Sequence, residues 1–279
     1  GPDGVFAASD LSAVAAEGRS AYVLEDGEFA RLTREGAELF DSALRPVERT
    51  FFALAAQQAA PEKGSFAHFM RKEIEEVPSA IENTLSGLPD LLNSHLYEVL
   101  CQTEYLHIVA CGTAYHSGLC MKAVAEKFAR VPTQVFVASE YRYCDPIVPE
   151  HTLTVAISQS GETADTLAAA QLALERGSRL LAVTNVEHSS LNRLAQHVLP
   201  TRAGREVAVA ATKSFNAQLA VLYSLAAALA AGRGRRAPSP AALAVLARET
   251  LCASGRVAAW TPYFQGARSV FFLGRGADR

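Results

Sequence analysis

The chain has 279 residues, 49% of them hydrophobic and 20% charged, with a formal net charge of −3. That length holds one large domain or two smaller ones, and that apolar share implies burial along most of it. The mildly acidic balance, without a basic stretch interleaved with aromatics, excludes a general nucleic-acid surface; the one basic cluster, Arg233-Gly234-Arg235-Arg236, lies beside Pro238 and Pro240 and reads as a solvated loop.

In chain order, Ala21-Tyr22-Val23-Leu24 and Phe29-Ala30-Arg31-Leu32 flank Glu25-Asp26-Gly27-Glu28, and an Asp-Gly between apolar runs predicts a hairpin. Residues 1–50 thus read as β structure without a full core of their own. Residues 51–63 read as a linker. Phe66, Met70, Ile74, Val77, Ile81 and Leu85 then share one helical face, which Pro78 is expected to kink or break. From about residue 100 strands and helices alternate: strand 106–110, helix 115–129, strand 133–137, strand 152–157, helix 163–176, strand 179–184, helix 190–196, strand 197–199 and a long helix 212–231. Such alternation predicts a doubly wound α/β domain, a parallel sheet with helices on both faces and its ligand at the carboxyl ends of the strands. A final apolar run, Ser269 to Leu273, is expected to be an unpaired and aggregation-prone strand.

The five cysteines, Cys101, Cys111, Cys120, Cys144 and Cys252, form no C-x-x-C pair, so neither a disulfide framework nor a zinc site is read, and a reduced, cytoplasmic compartment fits. No signal-peptide pattern is read, and the apolar stretch Leu219–Ala231 is alanine-rich and short for a bilayer span, so no membrane partner is expected.

The chemistry concentrates in Ser158-Gln159-Ser160-Gly161-Glu162-Thr163, a run of small hydroxyl residues between a buried strand and a helix start. Backbone N–H groups and the helix dipole favour an anion there; Ser158, Ser160 and Thr163 add hydroxyls, Gln159 an amide, and Gly161 permits close backbone approach. With no lysine the loop lacks the nucleotide P-loop pattern, and a neutral hydroxyl cradle suits a phosphate monoester. Plain helix capping would use the same residues. Two more small-residue loops, Cys111 to Ala114 and Gly204 to Lys213, could converge on it. Glu162 reads as a helix-start charge, Lys213 and Glu206 as an ion pair or loop anchors, Cys111 as small and buried, His107 as core, and His116 as structural or interface.

Ala110 to Tyr115, Ala138 to Tyr143, Ser158 to Thr166 and Glu206 to Phe215 resemble the glucosamine-6-phosphate synthase family, the isomerizing glutamine–fructose-6-phosphate aminotransferases, which join a glutaminase domain to two sugar isomerase (SIS) subdomains. Phe6 to Asp10 resembles a late glutaminase segment, and Lys63 to Leu85 the segment after the interdomain linker. The resemblance implies a flavodoxin-like SIS fold, with residues 1–50 the remnant of a glutaminase domain, 64–96 a helical lead-in, 97–236 the first SIS domain, and 237–279 the first helix and strand of a second. By the same resemblance Ser158, Gln159, Ser160 and Thr163 would hold the phosphate of fructose 6-phosphate, Thr113 would contact the sugar, and Val209 would line the sugar site. Ala114 and Ala211 stand where relatives carry serine, so no role is carried to either.

The resemblance also implies what is missing. The glutaminase nucleophile would lie upstream of Gly1, and the isomerase base, ring-opening histidine and Schiff-base lysine beyond Arg279. No catalytic residue, metal or cofactor is therefore expected, and the chain alone should bind sugar phosphate, fructose 6-phosphate or glucosamine 6-phosphate, without turning it over. Glutamine would enter through the missing domain, the partner would be a second copy in a homodimer, and the pathway would be amino-sugar synthesis toward UDP-N-acetylglucosamine. A sugar-phosphate deglycase or isomerase and a non-enzymatic sugar-phosphate sensor are the alternatives.

Overall fold

Five apolar runs that end in small or polar residues pair into one wholly parallel sheet. They are β6 (Tyr105–Ala110), β7 (Thr133–Val137), β8 (Thr152–Ser158), β9 (Arg179–Thr184) and β10 (His197–Pro200), in the order β10-β9-β8-β6-β7. The computed structural model describes residues 4–8, 20–25, 27–33, 36–53, 63–88 and 95–274. They fall into two compact units, residues 1–64 and 65–279.

In the larger unit β8 lies at the centre of the sheet between β6 and β9, all three buried on both faces, which explains why they read as nearly unbroken apolar runs. Side chains alternate between two cores. Leu106, Ile108, Leu153, Val155 and Ile157 pack on one face with α4 (Gly112–Val124) and α8 (Lys213–Ala231). Val109, Ala156, Leu180 and Ala182 pack on the other against α6 (Ala164–Glu175), whose Ala169, Ala170 and Ala173 allow close approach. Helix α8 has the length and apolarity of a membrane span, but it is mostly buried within this unit as its central helix. Burying Leu222, Leu225 and Leu229 on it contributes about 1.5–3 kcal/mol each.

Most expected boundaries agree within a few residues. The long helix after β6 starts earlier, at Gly112, and finishes as a π-turn over Ala125–Ala129. The lead-in breaks as Pro78 required, into α1 (Phe69–Glu75) and α2 (Val77–Ser86), with Pro78 in the first turn of the second helix, where its missing N–H costs nothing. Helix α3 (His95–Gln102) and the single turn α5 (Ala138–Tyr141) were not anticipated.

Three expectations need correction. The Glu25–Glu28 turn forms, with Glu28 N–H donating to Glu25 O at 3.0 Å, but Tyr22–Leu24 does not pair with Phe29–Leu32. Instead β2 (Phe29–Leu32) forms its hairpin with β3 (Ala37–Phe40) through the turn closed by Thr33 N–H to Gly36 O, while β1 (Ser20–Ala21) pairs with β5 (Phe52–Ala53). The ladder partner of Phe29–Leu32 is the run that follows it, Ala37–Phe40, rather than the one that precedes it, and the Glu25 N–H on the preceding side donates to the Glu28 carboxylate, which also accepts from Tyr22 Oη. Because β5 falls there, the expected linker 51–63 begins in strand; residues 54–62, Asp26, Ser9 and Asp10 lie outside the described residues. Residues 243–264 form helices α9 (Leu243–Cys252), α10 (Ser254–Ala258) and α11 (Thr261–Phe264), and Ser269–Leu273 forms no strand. A strand exists only through a ladder, and no described segment pairs with this one; Phe271, Phe272 and Leu273 are largely exposed.

His107 shows how the second core is tuned. It is 3% exposed on β6, its Nδ1 lies 3.2 Å from Tyr141 Oη, and its ring meets Phe136 edge-on. Burial holds its pKa below the ordinary histidine value and pushes the Tyr141 hydroxyl up to about 12. The unfolded chain therefore takes up a proton below about pH 6.5 that the folded chain refuses, and stability falls as pH drops through that window to the lowered folded value. Urea unfolding at pH 7.5 and 5.5 should show a smaller loss for His107→Gln than for wild type; equal losses would contradict this.

Candidate functional site

The sheet order reverses between β6 and β8, which pair in register from Tyr105↔Thr152 to Ala110↔Ile157. From there the chain enters α4 on one face and α6 on the other, so the loops leaving these two strands part and leave a crevice at their carboxyl ends. It is a cleft of about 320 Å³ that brings together Thr113, Ser158, Gln159, Ser160, Thr163 and Val209, all six positions singled out from the sequence. Cys111, Ala114 and Ala211 also line it, so the three loops converge.

The first wall is the Ser158–Thr163 loop. Ser158 ends β8, and its hydroxyl shares a 3.0 Å hydrogen bond with Thr163 Oγ1 while accepting the Gly161 N–H at 3.0 Å. Thr163 occupies the N-cap position of α6, yet its side chain makes no cap bond; it turns toward Ser158 instead. Ser160 Oγ accepts the Glu162 N–H at 3.2 Å. Gly161 has φ +69°, and a Cβ there would stand 2.1 Å from Ser189 Oγ, so only glycine fits. Glu162, expected to serve its own helix start, instead accepts the Ser190 N–H at 2.8 Å and ties the loop to α7 (Ser190–Leu194). The first-turn N–H groups of α6, which lack intrahelical partners, supply positive potential, and among the described residues no lysine or arginine lines the cleft.

The opposite wall is the segment 204–212, and here Glu206 acts as an anchor. Its carboxylate accepts the Thr212 N–H at 2.9 Å and the Ser214 hydroxyl. Lys213 is an ion-pair partner, its Nζ 2.7 Å from Glu76 Oε2. Burial pushes the Glu76 carboxyl up, but the Lys213 hydrogen bond and the charges of Lys213 and Lys72 outweigh it and hold Glu76 below the usual carboxylate range. Cys111 is half-buried at the start of α4, and His116 is exposed outside the cleft.

Sequence reasoning missed several residues. Thr166, Ser214 and Gln218 line the cleft, and the buried Thr166 hydroxyl has no hydrogen-bond partner among the described residues. Gln218 Oε1 accepts from Ser117 Oγ at 3.1 Å. Glu73 reaches the 204–212 segment from α1, and it carried a legible signal: a charge at the helical spacing of Met70, Ile74 and Val77, on the apolar face.

A SIS-domain family model matches residues 100–228. The glutamine–fructose-6-phosphate aminotransferase (isomerizing) of Clostridium acetobutylicum is 40% identical over 99% of this chain and 48% of its own length. That of Caldanaerobacter subterraneus subsp. tengcongensis is 46% identical over 82% of this chain and 39% of its own. The solved C-terminal domain of glucosamine-fructose-6-phosphate aminotransferase from Francisella tularensis superposes with a TM-score of 0.70 at 34% identity, covering 78% of this chain and 65% of that one. The chain thus spans about half the length of the curated relatives it matches.

Proposed function

Because this chain belongs to the glutamine–fructose-6-phosphate aminotransferase family, of whose members it spans about half, we propose that it is the sugar-phosphate-binding part of an enzyme that converts fructose 6-phosphate and glutamine to glucosamine 6-phosphate and glutamate. The observation that carries this reading is the convergence of Thr113, Ser158, Gln159, Ser160, Thr163 and Val209 on one cleft at the switch point of a SIS fold. The phosphate would sit on the Ser158–Thr163 loop against the start of α6, with Thr113 at the sugar and Val209 over it. A phosphate held away from the reacting carbons orients the substrate and supplies binding energy for the chemistry. Proton transfer between C1 and C2 needs a positioned base, and on this reading that base, like the glutaminase nucleophile, belongs to parts of the enzyme other than this chain. Residues 1–50 would be glutaminase remnant, 64–96 the lead-in, 97–236 the first SIS domain and 237–279 the opening of the second. The partner would be a second copy, and the setting a cytoplasmic amino-sugar pathway; the free state of all five cysteines fits a reducing compartment.

The match extends well upstream of residue 100, covering 99% of the chain in one relative, which favours the aminotransferase over a stand-alone deglycase, isomerase or sensor.

Calorimetry with fructose 6-phosphate tests the reading. Wild type should bind without turnover. Ser160→Asp should bind about a thousandfold more weakly, because a carboxylate about 4 Å from the phosphate costs about 4 kcal/mol at an effective dielectric of about 20. Equal affinity of the two proteins would remove the cradle assignment.

A further inference from the structure

The 204–212 segment contributes Glu206, Ala208, Val209 and Ala211 to the cleft, yet it belongs to no helix or strand. Its shape has to be imposed from elsewhere. The Glu73 carboxylate does this: Oε1 accepts the Val207 N–H at 2.6 Å, and the Ala208 N–H lies 3.3 and 3.2 Å from its two oxygens. Glu73 is 2% exposed. Two successive backbone N–H groups facing one anion form a nest, and here the anion is a side chain of the same chain, bound by charge-assisted hydrogen bonds. One helical turn further, Glu76 holds Lys213 at the other end of the segment. Both carboxylates come from the end of α1, upstream of the SIS match at 100–228.

We propose that Glu73 is a positioning residue of the cleft, a latch by which the lead-in helix sets the wall that meets the sugar while leaving the phosphate loop untouched. The proposal rests on the sugar-phosphate reading above. The two walls share one holder, Asn185, whose N–H donates to Gln159 O at 3.0 Å and whose Nδ2 donates to Gly204 O at 2.9 Å; beyond it their supports differ, the Ser158–Thr163 loop being held by its own hydroxyls and by Glu162 on Ser190, and the Val207–Thr212 stretch by Glu73, Glu206 and, through Lys213, Glu76. Val209 is fully exposed above the cleft, so no packing of its own side chain fixes it. Losing the latch should therefore weaken recognition of the sugar and spare recognition of the phosphate, a split that a general loss of structure would not give.

The test compares wild type, Glu73→Ala and Glu73→Gln by calorimetry with fructose 6-phosphate and with inorganic phosphate, and follows amide exchange at Val207 and Ala208. Glu73→Ala should weaken fructose 6-phosphate at least tenfold and inorganic phosphate less than twofold, and both amides should exchange at least a hundredfold faster. Glu73→Gln keeps one acceptor oxygen and should fall between; it also serves if the alanine variant does not fold. Parallel weakening of both ligands, no change in either, or unchanged amide protection would overturn the proposal. If wild type binds neither ligand, the sugar-phosphate reading fails, and amide exchange alone decides whether Glu73 holds the segment.

Discussion

Gly161→Ala is expected to abolish fructose 6-phosphate binding and to lower the stability of the chain by about 3 kcal/mol. Two costs add. At φ +69° an alanine sits in the left-handed region, and its Cβ would lie 2.1 Å from Ser189 Oγ and 2.5 Å from Ser189 Cβ. The loop cannot simply shift, because Gly161 N–H donates to Ser158 Oγ and Gly161 O accepts the Leu191 N–H at 3.0 Å. Relief must come from moving α7 or from opening the hydroxyl network that forms the cradle. A Ser189→Gly change in the same protein removes the colliding atoms and should recover part of the stability. Urea denaturation and calorimetry check both points; an alanine variant with wild-type midpoint and affinity would show that the loop is not fixed as described.

The second large effect is expected at the ion pair beneath the other wall. The Lys213 side chain is 7% exposed, whereas Glu76, 2.7 Å away, is 36% exposed. The pair is therefore asymmetric. Glu76→Ala strands a buried ammonium and should cost about 2–3 kcal/mol, somewhat less than the loss of a partner in a fully buried pair. Lys213→Met leaves a carboxylate that water can reach and that Lys72 still approaches at 3.4 Å, so its cost should be about 1 kcal/mol. The double variant should resemble Lys213→Met alone, because the stranded charge is gone. Additive losses would mean that the pair is not coupled. The sign of the pH dependence follows from the lowered Glu76 pKa: the pair's contribution is complete above the ordinary carboxylate value and is lost as pH falls through the lowered one.

Much of this was legible from the residues. The strands of the parallel sheet are short apolar runs bounded by turn residues, and burial on both faces leaves them little alternative. The cleft was legible because a doubly wound sheet places its loops at one end, and SQSGET follows a strand directly. The β-rich segment was less so. The ends of the Asp-Gly stretch, Glu25 and Glu28, are joined by a hydrogen bond, but Phe29–Leu32 pairs with the apolar run that follows it, Ala37–Phe40, and local turn composition does not reveal which neighbour a strand will choose. Ser269–Leu273 has the composition of a strand, but pairing is a property of two segments, and composition describes only one. Glu73 was missed for a related reason. Its spacing placed it on the buried face of α1, but the donors that satisfy it lie on an irregular segment whose course no periodicity reveals.

That separation has a consequence for how the molecule is made. Glu73 and Val207 stand 134 residues apart. At a synthesis rate of about 5–20 residues per second, the helix bearing the carboxylate leaves the ribosome on the order of ten seconds before the amides that will receive it. Through that interval the charge remains hydrated, which helps keep an otherwise apolar helix face from sticking to the emerging chain. The wall of the cleft thus cannot be finished before the growing polypeptide has been extended past its tenth strand, and binding competence would mark a nascent chain that has passed that point.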